Sequence, residues 1–84
     1  MVGMKGLTAL TDNELQLIYQ VTPRNSTPHD IHIHLIFKPH TRQLDDVKLK
    51  GTELDLSEVI TTHIGKNDVQ GLINAILARV RIGG

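Results

Sequence analysis

An α+β fold is what this sequence predicts: a three-stranded antiparallel meander sheet followed by two C-terminal helices packed on one of its faces. Three observations lead there. Apolar residues alternate at period two in Leu15–Val21, in Asp30–Lys38 and, more weakly, in Leu44–Lys50. From Asp55 onward the period becomes helical. The connections between the alternating runs are shorter than the dozen or more residues that a parallel crossover needs, so neighbouring strands run antiparallel. Helices that follow a meander bury their apolar stripes against it, giving two layers.

The chain has 84 residues, the size of one small domain. Met1–Gly6, with two glycines and two methionines, reads as a disordered lead-in or an expression remnant ahead of a single globular domain over 7–82. Leu7–Leu10 fits either the end of a helix or a short edge strand, and Thr11-Asp12-Asn13 is turn chemistry. Leu15, Leu17, Tyr19 and Val21 then form one strand face. Thr22–His29, with its two prolines, is an exposed loop. In Asp30–Lys38, the strand at the centre of the pattern, Ile31, Ile33, Leu35 and Phe37 share one face and His32, His34, Ile36 and Lys38 the other. Pro39–Arg42 turns the chain into the third strand, whose alternating Lys48 and Lys50 suit an edge.

Asp55 or Ser57 is placed to cap the first helix, which carries Leu56, Val59, Ile60 and Ile64 on one stripe and ends at Gly65. Asn67 reads as the N-cap of the second helix, with Val69, Leu72, Ile73, Ile76, Leu77 and Val80 as its apolar face through Arg81. Gly71 inside that helix marks a close contact. Gly83-Gly84 is a frayed tail.

Composition excludes several classes. Nine basic and nine acidic residues cancel, so the basic excess of a nucleic-acid binder is missing. No apolar run approaches the ~20 residues of a membrane span. One Tyr, one Phe and no Trp leave nothing to line an aromatic pocket or stack bases. The absence of cysteine rules out disulfides and thiolate metal sites and suits an intracellular protein.

Four residues are candidates for partner binding: Ile18, His32, His34 and Ile36, on the strand faces turned away from the core. Adjacent strands bring Ile18 and Ile36 into one small apolar patch rimmed by histidine and glutamine. The His-x-His pair also suggests an alternative, a small metal- or ligand-binding domain in which Asp30 supplies a third group on the same face. Against it stands a wet strand whose histidines pair with Gln16 or Gln20. A third reading, a ubiquitin-like modifier, rests on Gly83-Gly84; such tails follow a strand, whereas here the preceding spacing is helical. No catalytic residue, metal or cofactor is assigned. Ser26 and Ser57 lack a nucleophile context, Asp45-Asp46 would point to opposite faces of a strand, and no phosphate-cradling glycine motif occurs.

The succession N-E-L-Q-L-I-Y-Q-V-T-P (Asn13–Pro23), a polar loop, then H-I-H-L-I-F (His32–Phe37) resembles the first hairpin of the RWD-like globular heads of kinetochore subunits. L-S-E-V-I (Leu56–Ile60) and N-D-V-Q-G-L-I-N-A-I-L-A-R-V-R (Asn67–Arg81) resemble that family's closing helices. Leu17 and Tyr19 stand where phenylalanine is common in the family. The resemblance covers about residues 7–81 and implies a non-enzymatic interaction module of the nucleus. Such a module pairs with a like domain as a homo- or heterodimer, docks a peptide motif, and follows a coiled coil that would precede Met4.

Overall fold

The computed structural model describes residues 2–83. It is an α+β domain with elements β1 (Val2–Thr11), β2 (Glu14–Val21), β3 (His29–Phe37), β4 (Leu44–Lys50), α1 (Ser57–Lys66) and α2 (Val69–Gly83). The strands form one antiparallel sheet in the order β1-β2-β3-β4, and the shortest molecular dimension, 18 Å, is that of a two-layer structure. Among the described residues, no helix is long and apolar enough to cross a membrane.

Among the described residues the meander has four strands rather than three, and residues 2–6 of the expected lead-in begin the extra one; Met1 lies outside the described residues. Register explains why alternation does not reveal β1. Val2 and Met4 lie opposite Val21 and Tyr19, and the pairing shifts at Lys5. Beyond the shift Gly6 lies opposite Ile18, Leu7 opposite Leu17 and Ala9 opposite Leu15. The bulge inserts one residue, so Val2, Met4, Leu7 and Ala9 share a face although their numbers change parity. Leu7–Leu10 is therefore strand, interrupted by a second register shift between Ala9 and Thr11.

The expected core alternation in β2 and β3 is present. Leu17, Val21, Ile31, Ile33 and Leu35 are buried together with Leu56, Leu72, Ile73, Ile76 and Val80. In β4 a bulge between the rungs Phe37–Leu44 and Ile36–Asp46 leaves Asp45 unpaired, so Leu44 and Val47 are both buried although three residues apart. Asp45 and Asp46 are exposed.

The helix ends differ from the expected ones in detail. Leu56, buried, occupies the N-cap of α1, while Asp55 accepts hydrogen bonds from Ser57 N (3.1 Å) and Ser57 Oγ (2.7 Å). Helix α1 continues past Gly65, and Asn67 is its left-handed terminator at φ 51°, a conformation asparagine tolerates better than most residues. Asn67 is held there because its Oδ1 accepts the Leu44 amide at 2.7 Å, tying the helix junction to the start of β4. The cap of α2 is Asp68, whose Oδ1 accepts the Gly71 amide at 3.0 Å. A Cβ on Gly71 would run into that carboxylate, so the glycine is the close contact its position suggests. Helical structure reaches Gly83, so the residues before the Gly-Gly end are helical; Gly84 lies outside the described residues.

Candidate functional site

The sheet has two faces of different chemistry, and the four sequence candidates all fall on the outer one, away from the helices. Alternation puts Glu14, Gln16, Ile18 and Gln20 of β2 on this face, beside Asp30, His32, His34 and Ile36 of β3. Ile18 lies opposite His32 and Ile36 opposite Glu14, with the Gln16–His34 rung between them. The two isoleucines are thus four residues apart along the strand direction, about 13 Å, and do not form the joint patch expected of them. Register, which alternation leaves open, separates them.

Each histidine of the pair is already held by a neighbouring strand. Gln16 Nε2 donates to His32 Nδ1 at 2.8 Å, and His34 Nε2 donates to Glu14 Oε1 at 2.8 Å. Both bonds run to β2 on the diagonal rather than straight across the rung. The Glu14 carboxyl also accepts from Thr11 Oγ1 at 3.0 Å, and this bond, then the His34 bond and charge, lowers its pKa from the ordinary 4.5. Asp30 is engaged elsewhere: it pairs with Lys5 Nζ of β1 at 3.2 Å. Among the described residues no three His, Asp or Glu side chains are grouped so as to hold a metal ion. His32 and His34 line a shallow depression of about 350 Å³ with Gln16, Lys48, Leu49 and Lys50. Lys5, Lys48 and Lys50 are matched on this face by Glu14, Asp30 and Asp46, so it is a neutral mosaic rather than a charged surface. The serines form no imidazole pair in the hydrogen bonds of the structure: Ser57 Oγ donates to Asp55, and Ser26 sits in the exposed loop.

The inner face contains what sequence reasoning missed. Helix α1 lies against β4, and α2 lies against α1 and β2. The two helices cover the β2–β4 part of the face and leave most of β1 open. Met4 is 53 % exposed and Leu7 60 % exposed, although both are on the side that elsewhere forms the core. Leu10 is exposed as well, so β1 carries three of the five large apolar side chains exposed among the described residues. Next to this strip, Leu15 and Tyr19 of β2 are only partly buried. Among the described residues, no strand lies beside the outer backbone edge of β1. Val2–Thr11 contains one charge, Lys5, and no proline. The signal was present in the sequence as Val2, Met4, Leu7 and Ala9, but only a bulge at Lys5 makes those residues a face.

Searches of the chain against family models, curated proteins and solved structures return no match.

Proposed function

We propose that this chain is a non-catalytic protein–protein interaction module, an RWD-like head of the chromosome-segregation machinery. One observation carries the module reading: the apolar strip Met4–Leu7 lies on the core side of the sheet, continuous with the core, with no helix above it. Soluble domains expose scattered apolar residues routinely, but a contiguous strip beside an open strand edge is the kind of surface a partner covers. Docking is assigned to β1 rather than to His32 and His34 because both imidazoles already have partners within the sheet. Support for the chromosome-segregation setting comes from the resemblance of Asn13–Pro23, His32–Phe37 and Asn67–Arg81 to kinetochore heads, and from the order of strands followed by two helices.

The test is site-specific photo-crosslinking in cells. A photoreactive side chain in place of Leu7 should give a discrete protein adduct, and the same group in place of Lys48 on the far edge should give none. Equal labelling at both positions, or none at either, overturns the module reading.

A further inference from the structure

We propose that the depression between β3 and β4 on the outer face is an anion site for a compact phosphate dianion, free or as the head of a small monoester. It is separate from the β1 surface and does not depend on it.

Charge cancels over the outer face as a whole, but it is sorted along the strands. His34 lies opposite Lys48 and His32 opposite Lys50, on successive rungs of this face. Opposed Cα atoms are about 4.5–5.5 Å apart, and alternate residues of one strand about 6–7 Å. Two imidazoles and two ammonium groups therefore spring from the corners of one small rectangle. The acids lie beyond it. Glu14 and Asp46 flank Ile36 on the next rung, and Glu14 is already bonded by Thr11 and His34. At the other end Asp30 is paired with Lys5. None of the residues lining the depression is acidic. Among the described residues neither Lys48 nor Lys50 forms a salt bridge, and Lys48 acts on Glu14 through its charge alone.

The hydrogen bonds that hold the imidazoles also prepare a donor. Gln16 Nε2 donates to His32 Nδ1, so neutral His32 carries its proton on Nε2, on the side of the ring away from Gln16. Among the described residues nothing accepts from that N–H. His34 differs, because its Nε2–H already goes to Glu14, and it serves as a wall. Two ammonium groups and one N–H donor then share a concave site with no counter-charge inside it. Like charges this close on a sheet repel, and an oxyanion between them relieves that repulsion; lysine binds phosphate as a point charge. The volume of about 350 Å³ is at the small end of ligand sites, about 300–1,000 Å³. Acids at both ends disfavour an extended polyanion, which leaves a compact one.

The test is a titration of the whole 15N-labelled chain with inorganic phosphate at neutral pH, with sodium chloride holding the ionic strength constant. Saturable shifts centred on His32, Lys48 and Lys50 are expected, with a dissociation constant of about 1 mM. Lys50→Gln should weaken binding about tenfold, and the exposed Lys38→Gln, outside the depression, should leave it unchanged. Glycerol phosphate binding as well as phosphate assigns the site to a monoester; weaker binding assigns it to free phosphate. Shifts that rise without saturating, or that are as large at His29 and His40, indicate an adventitious ion only and overturn the site. So does undiminished binding when Lys48 and Lys50 are both changed to glutamine. A phosphoserine peptide that binds more than tenfold tighter than phosphate overturns the compact occupant and reassigns the depression to a phosphorylated protein.

Discussion

Strands β1 and β3 present apolar side chains to the same face of the same sheet, with opposite outcomes. Ile31 and Ile33 are 0 % exposed beneath the helices, while Met4 and Leu7 are more than half exposed two strands away. The apolar character of the inward side chains does not distinguish the two strands; the layer above them does. Alternation decides which way a side chain points, and coverage depends on where two helices of fixed length lie. Here α1 and α2 are anchored over β4 and β2 by the Leu56, Leu72, Ile76 and Val80 side chains, which leaves β1 outside their footprint.

The largest expected effect tests this contrast directly. Ile33→Ala should destabilise the domain by about 2–5 kcal/mol, the range for a deleted core isoleucine. Leu7→Ala should change the monomer by no more than about 0.5 kcal/mol. Urea unfolding at low protein concentration measures both, and a Leu7 cost approaching that of Ile33 would mean that β1 is covered after all.

Next in size is the backbone contact that closes the covered half. Gly51 follows β4 at φ +95°, and an added Cβ would strike the Asp30 carbonyl at the start of β3. Gly51→Ala should cost about 1–3 kcal/mol, the range for a non-glycine residue held in such a conformation. An unchanged urea midpoint would show that the β3–β4 end is not tight.

A smaller effect lies in the anchoring of α2. Asp68→Ala removes the cap and should cost about 1 kcal/mol. Gly71→Ala is opposed in the native protein by the Asp68 carboxylate. In the Asp68→Ala background the same change should stabilise, by up to about 1 kcal/mol from helix propensity. A double-mutant cycle with no coupling between the two sites would contradict that account.

The smallest effect concerns the outer face. The Glu14 carboxyl, bonded to Thr11 and His34, has a folded pKa below its ordinary 4.5. A depressed carboxyl pKa means that its contribution to stability is fully present above the ordinary value and is lost as the pH falls through the folded one. Glu14→Gln should remove a shallow part of the acid limb below pH 4.5, so that the two proteins differ slightly at neutral pH and converge in acid. Identical acid limbs for the two proteins would remove Glu14 from the pH response.

Much of the fold was legible because its signals are local. The β3 pattern of Ile31, Ile33 and Leu35, the turn at Asp12-Asn13 and the stripe from Val69 to Val80 each lie within one element. The candidate site was not legible in the same way. Ile18 and Ile36 were assigned to the correct face but to the wrong neighbourhood, because proximity across strands depends on register. Met4 and Leu7 were missed because one inserted residue at Lys5 breaks the parity that alternation relies on.

The amino-acid sequence by itself therefore determined the α+β class, the inward faces of β2 and β3, and the two closing helices. The polarity of successive side chains and the helical or extended period are written into neighbouring residues. Only the tertiary structure decided the fourth strand, the pairing of His32 and His34 with Gln16 and Glu14, and the open apolar strip along β1. Those features arise where distant segments meet, through register, bulges and the reach of a helix layer.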